Sequence, residues 1–151
     1  MDLYADVMLD ALLTSQVEQR IGRVLSSSFS LKNVSGKVNE EATRSLSEAV
    51  WYPLLQRYML ESTFYGHSLV EFALSDTDGI EVFLLPRQNV VPELGLFLYD
   101  SSVDEGEYYR EMREYGTYVV EFGSPRNYGL LNKAVPHALF KKSVSYTHLT
   151  L

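Results

Sequence analysis

The stretch from His67 to Pro86, HSLVEFALSDTDGIEVFLLP, constrains the fold more than any other. Ser68, Val70, Phe72 and Leu74 alternate with polar or smaller residues, the period-two pattern of a half-buried strand. Asp76-Thr77-Asp78-Gly79 is a turn signal. Ile80, Val82 and Leu84 carry a return strand, which Pro86 ends. The segment predicts an antiparallel β-hairpin.

What precedes the hairpin is helical in pattern. Leu3 to Ser27 has the period of a helix, and Val17, Ile21, Val24 and Leu25 fall on one apolar face. Ser15-Gln16-Val17-Glu18 has the form of a capping box, unless the helix runs unbroken from Leu3 and the box is incidental. Ser26-Ser27-Ser28 ends it, Phe29 to Lys32 is a candidate short strand, and Asn33 to Val38 holds a Ser-Gly turn. Asn39 is a good N-cap, followed by Glu40 and Glu41 at the positive end of the helix dipole. That pattern runs to Tyr65 and aligns Trp51, Leu54, Leu55, Tyr58 and Ser62. Pro53 must kink or break it, opening a second helix, and Gly66 is the stop.

After the hairpin, Asn89 to Val91 and Leu96 to Tyr99 read as short strands. Ser101 to Gly106 reads as an exposed loop, and Glu107 to Tyr115 fits helix or strand equally. Thr117 to Phe122 is a strand, broken by Gly123-Ser124-Pro125, and Asn127 to Lys142 is a last helical stretch. Within it, Gly129 and Pro136 weaken a helix by about 1 and about 3 kcal/mol. The stretch therefore predicts either one helix that carries both and is bent or closely packed, or a helix start at Asn127 and a second helix opened at Pro136. The fold class is α+β: N-terminal helices, an antiparallel β-hairpin and meander, and a C-terminal helix.

Composition narrows the function. A net charge of −7, with no basic run longer than Lys141-Lys142, argues against tight sequence-specific DNA binding. No apolar run is long enough to span a membrane, and the acidic start lacks the basic region of a signal peptide. The chain has no cysteine, which excludes disulfides and thiolate metal sites.

No catalytic, cofactor-binding or metal-ligating constellation emerges. Reading Gly79 as the sixth position of a calcium loop puts Leu74 and Leu85 where oxygen donors belong, so the turn is not an EF-hand. His67, His137 and His148 are scattered and lack zinc spacing; His67 is expected to bond backbone and His137 to lie on a helix surface. Glu105, Glu107, Glu111 and Glu114, with Arg110 and Arg113 between them, fit a solvated face better than an acid–base pair. No nucleophile elbow or phosphate-cradling loop occurs. The 11 tyrosines lack the basic interleaving of a base-stacking surface and fit packing at interfaces.

Three segments then carry a resemblance: the helical entry with Gln16-Val17-Glu18-Gln19-Arg20, the hairpin region from Phe64 to Gly95, and YVVEFGSPRNYGLLNKAVPHALFKK from Tyr118 to Lys142. The key features are Tyr65-Gly66 with Glu71, Pro86 with Pro92 and Gly95, and Gly129-Leu130-Leu131 with Ala134, Pro136 and Lys141. In this order the chain resembles tailed-phage portal proteins of the Mu-like branch, over Leu3 to Lys142.

The resemblance implies a structural subunit, not an enzyme, and no cofactor. Portal subunits form a ring, usually dodecameric, at one capsid vertex, and double-stranded DNA passes through it without sequence specificity. The implied partners are other portal subunits, the terminase, and head and adaptor proteins. The implied location is the virion, with assembly in the host bacterial cytoplasm. Residues 1–142 are expected to be the wing-like part of such a subunit, lacking stem and clip. Residues 143–151, SVSYTHLTL, have no helical period and read as translated sequencing-adapter read-through; the alternative is a C-terminal strand on a sheet edge. Trp51, Tyr58, Gly129, Leu130, Leu131 and Pro136 are the expected interface residues. Two rivals remain: a small self-contained cellular α+β protein-binding module, and a hydrolase using the acidic cluster.

Overall fold

A computed structural model of the chain describes residues 7–75, 79–103 and 105–148, with side chains through residue 141. A helical turn at Val7 and Met8 leads into helix α1 (Ala11–Leu25). Helices α2 (Glu40–Glu48) and α3 (Tyr52–Tyr65) follow. Strands β1 (His67–Leu74) and β2 (Ile80–Leu84) form the predicted hairpin. Then come β3 (Val90–Val91), β4 (Leu96–Leu98), β5 (Gly106–Tyr108), β6 (Val119–Gly123) and helix α4 (Leu131–His148).

The strands form two antiparallel sheets, ordered β2-β1-β6 and β3-β4-β5. Strand β1 is central in the first and has layers on both faces. Phe72 meets Trp51 edge-on, and Ser68 Oγ accepts from Arg87, which also binds Glu61 of α3; these residues mark the helical face. Leu69 and Val119 lie on the other face, buried with Val90 and Tyr109 of the second sheet region. The layers therefore run helices, central sheet, small sheet. A separate helical core joins Val7, Val17, Ile21, Phe64, Leu131 and Val135.

Local chemistry explains the boundaries. Helix α1 starts where Asp10 Oδ1 accepts from Leu12 N and Leu13 N at 3.0 and 3.3 Å. Ser15 lies inside the helix, so Ser15–Glu18 is not its capping box, and Leu9–Asp10 breaks any unbroken run from Leu3. Asn39 caps α2 as expected, accepting from Ala42 N at 3.0 Å. The break at Pro53 is real: α2 ends at Glu48 and α3 opens with proline in its first turn. Phe29 to Lys32 forms no strand, only the isolated bridge Lys32–Val38 around the Asn33–Gly36 turn. Asp76, Thr77 and Asp78 lie outside the described residues, but Ser75 N donates to Gly79 O at 2.8 Å and closes the hairpin.

The ambiguous Glu107–Tyr115 segment splits. Gly106–Tyr108 pairs with β4, and Tyr109–Glu111 makes a 3-10 turn. The C-terminal stretch also departs from expectation. Asn127 to Leu130 is a turn, and one helix begins at Leu131 and carries Pro136 inside it, so Pro136 opens no second helix. That helix passes Lys142 and continues to His148, so residues 143–148 are helical, neither the end of the pattern nor a strand. Residues 149–151 lie outside the described residues.

Candidate functional site

Three glycines fix where the last helix leaves the sheet. Gly66 ends α3 at φ 91°, Gly123 ends β6 at φ 98°, and Gly129 precedes α4 at φ 72°. All three occupy the left-handed region, where a side chain is strained. Their backbones also touch: a β-carbon on Gly129 would lie 2.3 Å from Gly66 N and from Phe64 O, and one on Gly123 would lie 2.3 Å from Gly66 O. Ser124 N donates to Gly66 O at 3.1 Å, and Leu130 N donates to Thr63 O at 3.0 Å.

Next to this junction stands a half-buried polar hub around Glu121. Its Oε1 accepts from Arg110 Nη2 at 2.6 Å and Tyr109 Oη at 2.9 Å. Its Oε2 accepts from Arg110 Nε at 3.0 Å and Tyr115 Oη at 3.1 Å. Arg110 also donates to Pro92 O at 2.7 Å, tying the hub to the small sheet. Burial alone raises the Glu121 pKa, but the donors from Arg110, Tyr109 and Tyr115 outweigh it and hold the carboxylate below its ordinary 4.5. Burial, then the hydrogen bond to Glu121, pushes the Tyr109 hydroxyl up, so it stays a donor.

His67 faces the same carboxylate. Its Nε2 stands 3.3 Å from Glu121 Oε1, yet it makes no hydrogen bond among the described residues. The contact becomes an ion pair only when the imidazole is protonated. Burial pushes the imidazole below 6.5 despite Glu121, so His67 is neutral at pH 7. Among the described residues Nε2 does not make the backbone bond that its position opening a strand suggested.

A second chain of charges joins the helical layer to the sheet. Arg87 Nη2 binds Glu61 Oε2 at 2.8 Å, and its guanidinium lies 4.3 Å from the Tyr65 ring centre. Arg57 links Glu61 Oε1 at 3.0 Å to Glu18 at 2.5 Å. Above Arg87 an open groove of about 890 Å³ is lined by Tyr65, His67, Pro86, Arg87, Pro92 and Tyr128, among others.

The acidic cluster lies elsewhere. Glu105, Glu107, Glu111 and Glu114 are all exposed, and none lines that groove. Arg110 does not alternate with them on a solvated face, because it turns inward to Glu121. Among the described residues the cluster lines neither this groove nor the smaller one between Asp10 and Lys141, so neither supplies the concave site that the hydrolase rival requires. Among the described residues no group of three or more His, Asp or Glu is placed to hold a metal ion, and no helix is long and apolar enough to cross a membrane. His137 is exposed on α4.

The expected interface residues separate. Trp51 and Tyr58 are half-buried, with Trp51 edge-on to Tyr52 and Phe72. Leu130 and Pro136 are exposed. Leu131 is only 2% exposed, a core residue that leaves no surface for a partner. Gly129 serves the backbone junction with Gly66. The Glu121 hub was not anticipated, although a lone carboxylate inside the apolar run Val119-Val120-Glu121-Phe122 was the available signal.

Many large apolar side chains are left in the open, among them Leu12, Val34, Val50, Leu94, Tyr128 and Phe140. Similarity to known proteins gives the class: the chain matches a family of phage structural proteins. The family model described as the portal protein of Mu bacteriophage covers residues 1–147, and the chain belongs to that family. No curated protein and no solved structure matches it.

Proposed function

We propose that the chain is the wing-like part of a portal subunit, which assembles with copies of itself into a ring at a capsid vertex and lines the route of DNA packaging and ejection. The observation that carries this reading is the family match over residues 1–147. The exposed apolar side chains on several elements are consistent with it, as surface for neighbouring copies to cover. The net charge of −7 suits a wall that lets double-stranded DNA slide past without gripping phosphates. Terminase, head and adaptor proteins are the further partners, in the virion and, during assembly, in the host bacterial cytoplasm. The family match runs to residue 147 and the last helix to His148, so the assignment of residues 143–151 to adapter-derived sequence is a separate proposal; a genomic read that keeps the last nine codons and then stops would remove it.

Native mass spectrometry of the purified chain over a wide concentration range tests the assembly. The expected result is self-association that grows with concentration and yields no stable dodecamer. A chain that stays monomeric throughout overturns the assembly reading. A stable dodecamer overturns the assignment to the wing-like part alone.

A further inference from the structure

We infer that the outer face of the small sheet is a docking surface for an amphipathic helix of another protein, one whose apolar stripe is flanked on both sides by lysine or arginine. This surface goes beyond the portal reading, which does not depend on it. Strand alternation gives the sheet two faces. Val90 and Phe97 turn to the core with Leu69, Tyr109 and Val119. Register then places Val91 beside Leu96, and Leu96 beside Tyr108, on the other face, with Leu98 two residues along. These four belong to neither core cluster and none is buried; Tyr108 is 53% exposed. Three residues of strand span about 10 Å and three strands about the same, which is the width of one α-helix.

Acids frame that face at both ends of its strands. Leu96 pairs with Tyr108, so Glu93 in the turn before Leu96 and Glu111 after Tyr108 stand at one end. Asp100 and Glu105 stand at the other, in the loop that joins Leu98 to Gly106. All four carboxylates are exposed and have no ion pair among the described residues. Residues 89–114 hold seven Asp and Glu against two Arg, a balance of −5 within the chain's −7. Of those two, Arg110 is turned to Glu121 and Arg113 is exposed. A helix laid across the strands rests its apolar stripe on Leu96 and Leu98 and sets one flank against each acidic end. Lysine or arginine on both flanks is the complement. Duplex DNA is repelled by the same charge, and so is a second copy, at net −7.

The probe is a synthetic helical peptide with leucine at i, i+3, i+4 and i+7 and lysine on both flanks, titrated against the full chain by fluorescence anisotropy. It should bind, and its counterpart with glutamate for lysine should not. Tyr108→Ser should weaken binding about tenfold, and so should Glu93→Gln, Glu105→Gln and Glu111→Gln combined. Glu40→Gln, Glu41→Gln and Glu48→Gln combined remove the same charge from α2 and should change binding by less than about twofold. All seven positions are exposed, and circular dichroism checks that each variant folds. If the lysine peptide does not bind, the docking surface is refuted. If the α2 variant loses as much as the small-sheet variant, the peptide follows net charge and the surface is refuted too. Sedimentation velocity covers the remaining occupant. Tyr108→Ser should leave any self-association of the chain unchanged; if it abolishes it, a second copy covers this face and the assignment to another protein falls.

Discussion

Gly66 and Gly129 meet backbone to backbone: a β-carbon on Gly66 would lie 2.1 Å from Asn127 O, and one on Gly129 would lie 2.3 Å from Gly66 N. The helix stop before the central strand and the turn before the last helix therefore share one contact. No side chain larger than hydrogen fits on either side of it. This contact sets where α4 lies on the helical core and holds Leu131 and Val135 inside.

Gly66→Ala and Gly129→Ala should each destabilise the chain by about 3 kcal/mol, from left-handed strain of about 1–2 kcal/mol plus overpacking of similar size. Gly36→Ala is the control. Gly36 also has a positive φ, 81°, but nothing lies within 4 Å of its added β-carbon. It should lose only the strain, about 1 kcal/mol. Urea unfolding of the three variants measures the difference. Equal losses at all three would show that the close approach costs nothing.

The two candidate caps of the first helix give a second test. Asp10 accepts from Leu12 N and Leu13 N, and its carboxylate also binds Lys141 Nζ at 2.5 Å. Ser15 is inside the helix. Asp10→Ala should lower the unfolding midpoint and the protection of the first-turn amides in hydrogen exchange, while Ser15→Ala should leave both unchanged. A loss at Ser15 with none at Asp10 would restore the box that the sequence suggested.

This pair also shows how much of the fold the sequence made legible. Signals confined to a few neighbouring residues held: the Asn39 cap, the break before Pro53, the Gly66 stop and the hairpin each depend on backbone chemistry within one turn. Ser15–Glu18 had the right letters, but Asp10 reached the free amides first, and Glu18 went to Arg57 in another helix. The site was less legible for the same reason. Glu121 and Arg110 are 11 residues apart, and His67 comes from a third segment, so no local spacing announced their meeting. Pairing of β1 with β6 brings them together, and that pairing is set by the fold rather than by any one stretch.

Pro136 sits inside α4 on its exposed side, where it removes the amide that would bond to Asn132 O. Proline in a helix interior costs about 3 kcal/mol relative to alanine, offset in part because it also restricts the unfolded chain by about 1 kcal/mol. Pro136→Ala should therefore stabilise the chain by about 1–2 kcal/mol, read as a higher unfolding midpoint and slower amide exchange in α4. A loss of stability would mean that the ring packs where it sits, and that the residue is kept for that contact.

His67 and Glu121 should make stability depend on pH on the acid side. His67 has a folded pKa below 6.5, so the unfolded state binds its proton first as pH falls. Its contribution is fully present above 6.5 and is lost as pH falls from there to its folded pKa. Glu121, held below 4.5, adds a second loss as pH falls through its own folded pKa. The unfolding midpoint should thus be flat near pH 7, drop below about 6.5, and drop again below about 4.5. His67→Gln should remove the first drop and keep the second. Glu121→Gln should remove the second and cost about 2 kcal/mol at pH 7, less than a fully buried pair because Arg110 keeps some access to water. A His67→Gln profile that still falls between pH 6.5 and 5 would place the titrating group elsewhere.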